Sequence, residues 1–508
     1  MREFRRTCLA TLLVLLVGAS VEAQVPYGNG SPGTGGLIPH LTSNQAYMGN
    51  ANFSFSVSNG LGGASALFVL SLGKSSTFVG TTEILVNLGA LVLLLPLGLT
   101  GPNGTPGAGS ANVPLPLNFP PTPSAAGALF YAQVVVIDFP TPGSPAASRG
   151  LEVELTYPPL VFVGTSVGGS TDPFYLVDPL VPSLVYSSNN AFTDNVTDAV
   201  WNRGGAELFI GSSIRNQVNV ADMTAIPPVW TTIYTSAGSG CYGMGIDRTF
   251  KRLYTFTNPG TATREITALD IQPGSPTYGQ RLANTVGVAS GGLAERWNIS
   301  PSGKKICLLT LLPGNMIVID SDVNSAGYLT FGPQIIIPTS PGPLALANQV
   351  RITPDDAYAL VVIQNAGTQP GDLARYDFNA QAWVDHNTSM PGIQNIGALS
   401  SPAVNFGSAF TGISLSKDGS FALVSGFGGT GWAGRLDFQG ASWNYTAFNP
   451  GVPLAGSWAI GLTDGEARAA IGTFPSPSAC VVTDSLNGTL VGSVPLPGAG
   501  NVYTVMSR

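Results

Sequence analysis

Apolar and polar residues alternate along much of this chain. In "NFSFSVS", Phe53, Phe55 and Val57 fall on one side, and in "LEVELTY" so do Leu151, Val153 and Leu155. That is the period of a strand with one buried face. "ALFVLSLG" and "ALFYAQVVVIDF" are continuous apolar runs bounded by Gly, Pro and Ser, which read as further strands. Six to eight short strands over residues 24–157 predict a β-sandwich-like domain. It carries no Trp and few ionisable groups, so no site is expected in it. Residues 158–190, "YPPLVFVGTSVGGSTDPFYLVDPLVPS" and its flanks, are rich in Pro and Gly and read as a domain junction.

From 191 to 508 the pattern repeats. Copies at 297–322, 350–367, 413–429 and 461–498, with weaker ones at 201–223 and 245–258, each read as strand, tight turn, strand, and usually a third strand ending in Asp. The second turn residue falls at Gly205, Phe250, Gly303, Asp356, Gly419 and Gly465, at intervals of 45 to 63 residues. This is the length of one four-stranded propeller blade with variable loops. A single blade cannot bury both faces, whereas blades stacked around an axis can. The expected fold is all-β, an N-terminal β-sandwich followed by a six- or seven-bladed β-propeller. A seventh copy could lie in the long 356–419 interval. Trp201 and Trp297, on the strand before the turn, are expected to pack between blades.

Composition agrees with many short strands and turns. Gly (64) and Pro (40) are abundant and only 10% of residues are charged, against roughly 25% in an average domain. Residues 1–23 read as a signal peptide, with Arg2, Arg5 and Arg6 before an apolar run and Val21-Glu22-Ala23 at the cleavage site. The expectation is export to the periplasm, cell surface or medium. The Arg5-Arg6 pair leaves Sec and twin-arginine routes open. The run from Ile84 to Leu99 is broken by Asn87, Gly89, Pro96 and Gly98, so no transmembrane segment is expected. A net charge of −7 without a basic patch argues against nucleic acid. Cys241, Cys307 and Cys480 remain after the signal and allow at most one disulfide, with the pairing open.

The pattern S-P-D-G, strand, V-x-x-x-D, strand, plainest in "SACVVTDSLNGTLVGSVPLPG" and "GNMIVIDSD", resembles the YVTN-type, lactonase-like β-propeller repeats over about 190–508. Copies 1 and 2 depart from it by lacking Pro before the turn. The resemblance implies that the strand before the turn is innermost and that its start faces the channel mouth. Eight residues back from each turn lie Thr197, Tyr242, Glu295, Asn348, Thr411 and Ser457, all polar. One position further come Asp198, Gly243, Arg296, Gln349, Gly412 and Trp458. A mouth with convergent polar groups, the Glu295–Arg296 pair and Trp458 would suit a small ligand or glycan.

Catalytic patterns are thin. Gly164-Thr165-Ser166-Val167-Gly168 matches the hydrolase elbow G-x-S-x-G, but that motif needs a helix after the serine and a parallel sheet around it. The Gly- and Pro-rich residues that follow forbid the helix, and only His40 and His386 could complete a triad. Asp320-Ser321-Asp322-Val323-Asn324 has the look of a calcium loop, yet Ser325 and Phe331 stand where Gly and Glu belong. No catalytic residue, metal ligand or cofactor is assigned, and calcium is the one candidate ion. The reading is an exported, non-catalytic binding or surface-interaction protein, its partner a glycan, a small molecule or a cell-surface protein. The alternatives are a lactonase-like hydrolase working at the Glu295 side of the channel, or a purely structural envelope component.

Overall fold

The computed structural model describes residues 25–141, 144–166, 173–189, 196–212, 216–236, 239–247, 251–258, 263–288, 296–310, 314–337, 346–364, 372–384, 410–426, 431–439, 442–454, 457, 459–463, 466–473, 478–497 and 501–507. Among these there are strands and a few short 3-10 turns, with no α-helix. The chain forms two compact units, one built from residues up to Glu154 and the other mainly from Leu155 onward.

In the first unit a six-stranded sheet runs in the order Val25–Tyr27, Gly150–Glu154, Leu129–Thr141, Ser65–Ser71, Leu91–Gly98, with Ser144–Ala147 paired to Leu129–Thr141. A three-stranded sheet is made of His40–Ser43, Ser54–Gly60 and Gly109–Pro114. The alternating residues do what their period predicts. Phe53, Phe55 and Val57 share one core with Phe68, Val134, Leu151 and Val153, so both sheets contribute to it. Gln133 is buried, and its amide is fully used: it accepts from Leu85 N–H (2.9 Å) and donates to Glu83 O (3.1 Å) and Ser148 O (2.9 Å).

The second unit is seven four-stranded antiparallel sheets. Blades 1 to 6 span 196–235, 239–288, 296–336, 346–384, 410–447 and 459–495. Each lists its strands in chain order, so the strand before the turn is at one edge. These first strands touch one another in sequence around a ring. The seventh blade joins the start of this unit to a distant strand: Asn501–Ser507 pairs with Val161–Ser166, followed by Pro173–Asp178 and Ser183–Asn189. Asn501–Ser507 touches the first strands of both blade 6 and blade 1, which closes the ring. The fold is a seven-bladed propeller.

Two expectations change. Residues 158–190 do not form a junction but supply three strands of blade 7, because the C-terminal strand is available to pair with them. The seventh blade is therefore not in the 356–419 interval, whose stretch 385–409 lies outside the described residues.

Each of the seven blade interfaces has its own apolar cluster. Trp201 packs with Phe162, Phe174 and Leu176 of blade 7, and Trp297 with Tyr254, Phe256 and Ile266 of blade 2. Close approach at the Trp297 interface requires glycine. A Cβ on Gly243 would lie 1.8 Å from Trp297 Nε1, and one on Gly245 would lie 2.4 Å from Ile299 Cγ2. We therefore expect Gly243→Ala to lower stability by about 1–3 kcal/mol, as overpacking does. Shrinking the indole in a Gly243→Ala/Trp297→Leu double variant should cost less than the two single changes added together. Chemical denaturation of the four proteins checks this, and strict additivity would refute the contact.

Candidate functional site

The two ends of each blade are built by different chemistry. At the turn end, the residue beginning the turn closes a backbone ring: Ser300 N–H donates to Lys305 O (2.7 Å), Thr353 to Tyr358 (2.9 Å), Ser416 to Phe421 (3.0 Å) and Thr463 to Arg468 (3.1 Å). Ser300, Thr353 and Ser416 also accept through their hydroxyls from the same downstream N–H groups. A left-handed residue follows at Gly205, Gly303, Asp356, Gly419 and Glu466. Glycine adopts this conformation without strain. The two acids reach the neighbouring blade: Asp356 accepts from Ser302 and Glu466 from the Lys417 N–H. The Asp closing each third strand is turn chemistry as well. Asp178, Asp222, Asp270, Asp320, Asp377 and Asp484 accept from backbone N–H groups just beyond them. Asp320 is thereby occupied by Asp322 N–H and the Ser325 hydroxyl.

At the other end, the innermost strands carry a recurrent β-bulge. The ladder skips one residue between Val196 and Asp198, Cys241 and Gly243, Ala347 and Gln349, and Phe410 and Gly412. In blade 7 it skips between Val502 and Thr504. The inserted residues are Thr197, Tyr242, Asn348, Thr411 and Tyr503. Four of them are positions that the sequence singles out. Each lies five residues before the turn-closing N–H of its blade, at Asn202, Asp247, Thr353 and Ser416. The same count from Ser300 and Thr463 gives Glu295 and Trp458.

This register corrects one member of the ring. The left-handed residue of blade 6 is Glu466, so the equivalent position is Trp458, and Ser457 falls one residue early. A turn count that expects glycine picks Gly465 instead. The seventh member, Tyr503, was invisible to that count because its strand is followed by no turn.

Side chains are described for two of the eight sequence candidates. Thr411 and Ser457 are both buried. The Thr411 hydroxyl donates to Ser457 O (3.0 Å), and the Ser457 hydroxyl donates to Gly426 O (2.7 Å) and Trp432 O (3.0 Å). These two hydroxyls tie blade 5 to blade 6. Thr197, Tyr242, Arg296 and Asn348 are placed by their strands alone, and Glu295 and Trp458 lie outside the described residues.

The next position serves the neighbouring blade. Asp198 Oδ2 accepts from Met244 N–H (2.9 Å) and Gln349 Oε1 from Ile413 N–H (2.9 Å). Asn298 and Ser414, two residues further along their strands, accept from Ile352 (3.0 Å) and Leu462 (3.2 Å).

Of the other glutamates, Glu207 sits at the turn end, where burial pushes its carboxyl upward against hydrogen bonds from Tyr278 and Asn202. Glu265 is on the mouth half of blade 2 and accepts from Asn284 (2.9 Å). Among the described residues no three His, Cys, Asp or Glu side chains are grouped to hold a metal. Ser166 ends a strand paired on both sides in an antiparallel sheet, which is not the parallel setting an elbow needs. His386 and residues 167–172 lie outside the described residues.

No family profile matches the sequence, and no curated protein matches it. Solved structures that resemble it include a protein provisionally assigned as a 6-phosphogluconolactonase from Bacteroides uniformis, 11% identical, covering 69% of this chain and 100% of its own, TM-score 0.49. Another is a functionally unknown protein from Desulfotomaculum acetoxidans, 14% identical, covering 68% and 98%, TM-score 0.48. A third is the β-propeller domain of Cps50 (Swd1) from Myceliophteria thermophila, 11% identical, covering 60% and 87%, TM-score 0.44. Likeness at this level bears on neither ligand nor chemistry.

Cys241, Cys307 and Cys480 fall in blades 2, 3 and 6 and are buried. Burial pushes the Cys241 and Cys480 thiols up to about 12, and Cys307 upward as well. Thiolate, the reactive form, is therefore scarce at pH 8. Ellman's reagent should find no fast-reacting thiol in the native protein at pH 8 and all three in denaturant. A rapid native reaction would contradict this burial.

Proposed function

We propose that the propeller is an exported, non-catalytic binding module whose ligand sits at the channel mouth. The carrying observation is the bulge repeated at one register of the innermost strands. A bulge adds an unpaired residue and re-aims its side chain, and bulges concentrate at rims and sites. Had these positions served the ladder alone, an uninterrupted strand would have sufficed. The mouth set is Thr197, Tyr242, Glu295, Arg296, Asn348 and Trp458, with Tyr503 added and Thr411 and Ser457 kept as structural ties. By backbone position, Tyr503, Thr197, Tyr242 and Asn348 belong to blades 7, 1, 2 and 4, and the sequence count adds Glu295 and Trp458, which lie outside the described residues. A set of residue types with two Tyr and one Trp beside Glu and Asn suits a glycan or another small polar ring. The N-terminal unit is read as a two-sheet sandwich that carries the module, and export rests on residues 1–23.

The test is thermal and chemical denaturation of residues 24–508 with oligosaccharides, lactones, calcium or EDTA. A saccharide at 100 times its dissociation constant should stabilise the protein by about 2.7 kcal/mol. Trp458→Ala or Tyr503→Ala should weaken that affinity at least tenfold. A flat panel would sink the small-ligand reading and leave a scaffold. Lactone turnover abolished by Glu295→Gln would replace it with the hydrolase.

A further inference from the structure

The interface between blades 1 and 2 contains polar groups that the described residues do not satisfy. Strands Arg252–Asn258 and Thr263–Asp270 of blade 2 pair Leu253 with Leu269, Thr255 with Thr267, and Thr257 with Glu265. Directly opposed residues share a face, and Leu253 and Leu269 identify that face. They pack against Phe209, Val218 and Val220 of blade 1. The three threonines are at most 1% exposed, and Glu265 is 8% exposed. The hydroxyls of Thr255, Thr257 and Thr267 have no hydrogen-bond partner among the described residues. Glu265 receives one hydrogen bond, from Asn284, which pairs beside Thr267 on the fourth strand. On the inner side the same rows end at Met244 and Cys241. Phe209, Val218 and Val220 of blade 1 offer these groups no polar side-chain atom.

We infer that this face of blade 2 holds an internal hydration site of about two water molecules. A buried hydroxyl left without a partner is destabilising, and most buried polar groups in proteins are paired with protein or with ordered water. Three such hydroxyls with a carboxylate and an amide give a water the two to four partners it requires. The donor set favours water over a directly bound ion: three neutral hydroxyls and one amide accompany a single carboxylate, Glu265, whereas calcium takes about six to eight oxygen ligands. The Thr255–Thr267 and Thr257–Glu265 rows are two residues apart, roughly 6.7 Å along the strands, a step that two waters linked at about 2.8 Å bridge. The Thr257–Glu265 row pairs with Cys241, the residue just before the bulge at Tyr242.

The measurement is oxygen-17 water relaxation dispersion on residues 24–508, comparing the parent with Thr255→Val/Thr267→Val and with Thr255→Ser, which keeps the hydroxyl. The parent and the serine variant should show about two more long-lived waters than the double valine variant. Each single Thr→Val change should raise the unfolding equilibrium constant roughly 2- to 10-fold. Equal dispersion in parent and double variant overturns the inference, as do valine variants at least as stable as the parent, which would mean a dry pocket. A parent destabilised by EDTA or by exchange of sodium for potassium, with the change lost in the double variant, assigns the site to an ion and also overturns it. The saccharide panel reads the mouth separately, so the two ideas fail independently.

Discussion

Everything in the propeller depends on how the inner edge of each blade is satisfied. A four-stranded sheet leaves a row of unpaired N–H groups along its first strand, and at the axis these face other edges rather than another strand. Here the side chain of the preceding blade supplies the acceptor. Asp198 serves Met244, Asn298 serves Ile352, Gln349 serves Ile413 and Ser414 serves Leu462. A buried N–H without a partner costs about as much as a lost hydrogen bond, so these polar residues are structural before they are anything else. They also tie the first strands to one another, which holds the blades at a fixed separation. Glycines at 211, 243 and 245 allow that separation to be short.

This division explains why the repeat looks as it does. The features that recur from copy to copy are those the architecture consumes: a hydroxyl that closes the turn, a residue that tolerates the left-handed conformation, and an Asp that caps the hairpin after the third strand. The residues inserted at the bulges stand outside the ladder and differ in type: Thr, Tyr, Asn, Thr and Tyr in the five blades where the bulge is described. Blade 5 shows that the position can still be recruited for structure, since Thr411 turns its hydroxyl to blade 6.

The propeller was legible because its turns are local and chemically marked. Gly303 and Gly419, each three residues after a Ser, point directly to a tight turn, and six blades follow from that spacing. Glu466 was misread because its left-handed conformation is not intrinsic. The blade 5 backbone at Lys417 holds it there, a contact 49 residues away that no local pattern shows. The blade at 161–189 was misread for a related reason. Its innermost strand is Asn501–Ser507, more than 300 residues downstream, so no local turn joins that strand to its partner Val161–Ser166. The bulges were reached only indirectly. Counting back from the turns found their positions, but polarity alone could not separate Thr197 and Tyr242, which interrupt the ladder, from Asp198 and Gln349, which cap it.

The same closure accounts for the serine motif near the start of the propeller. Gly164 lies where a Cβ would come within 3.2 Å of Val196 in blade 1, so a small residue suits the close packing of blade 7 against blade 1. Thr165 is wholly buried and pairs with Val502, and Ser166 ends the strand opposite Asn501. Packing thus gives the first glycine a structural use and ladder pairing fixes the backbone of the serine, while Val167 and Gly168 lie outside the described residues. A short catalytic pattern is informative only where the fold has no other use for its letters, and in a glycine-rich propeller the fold has such a use at Gly164.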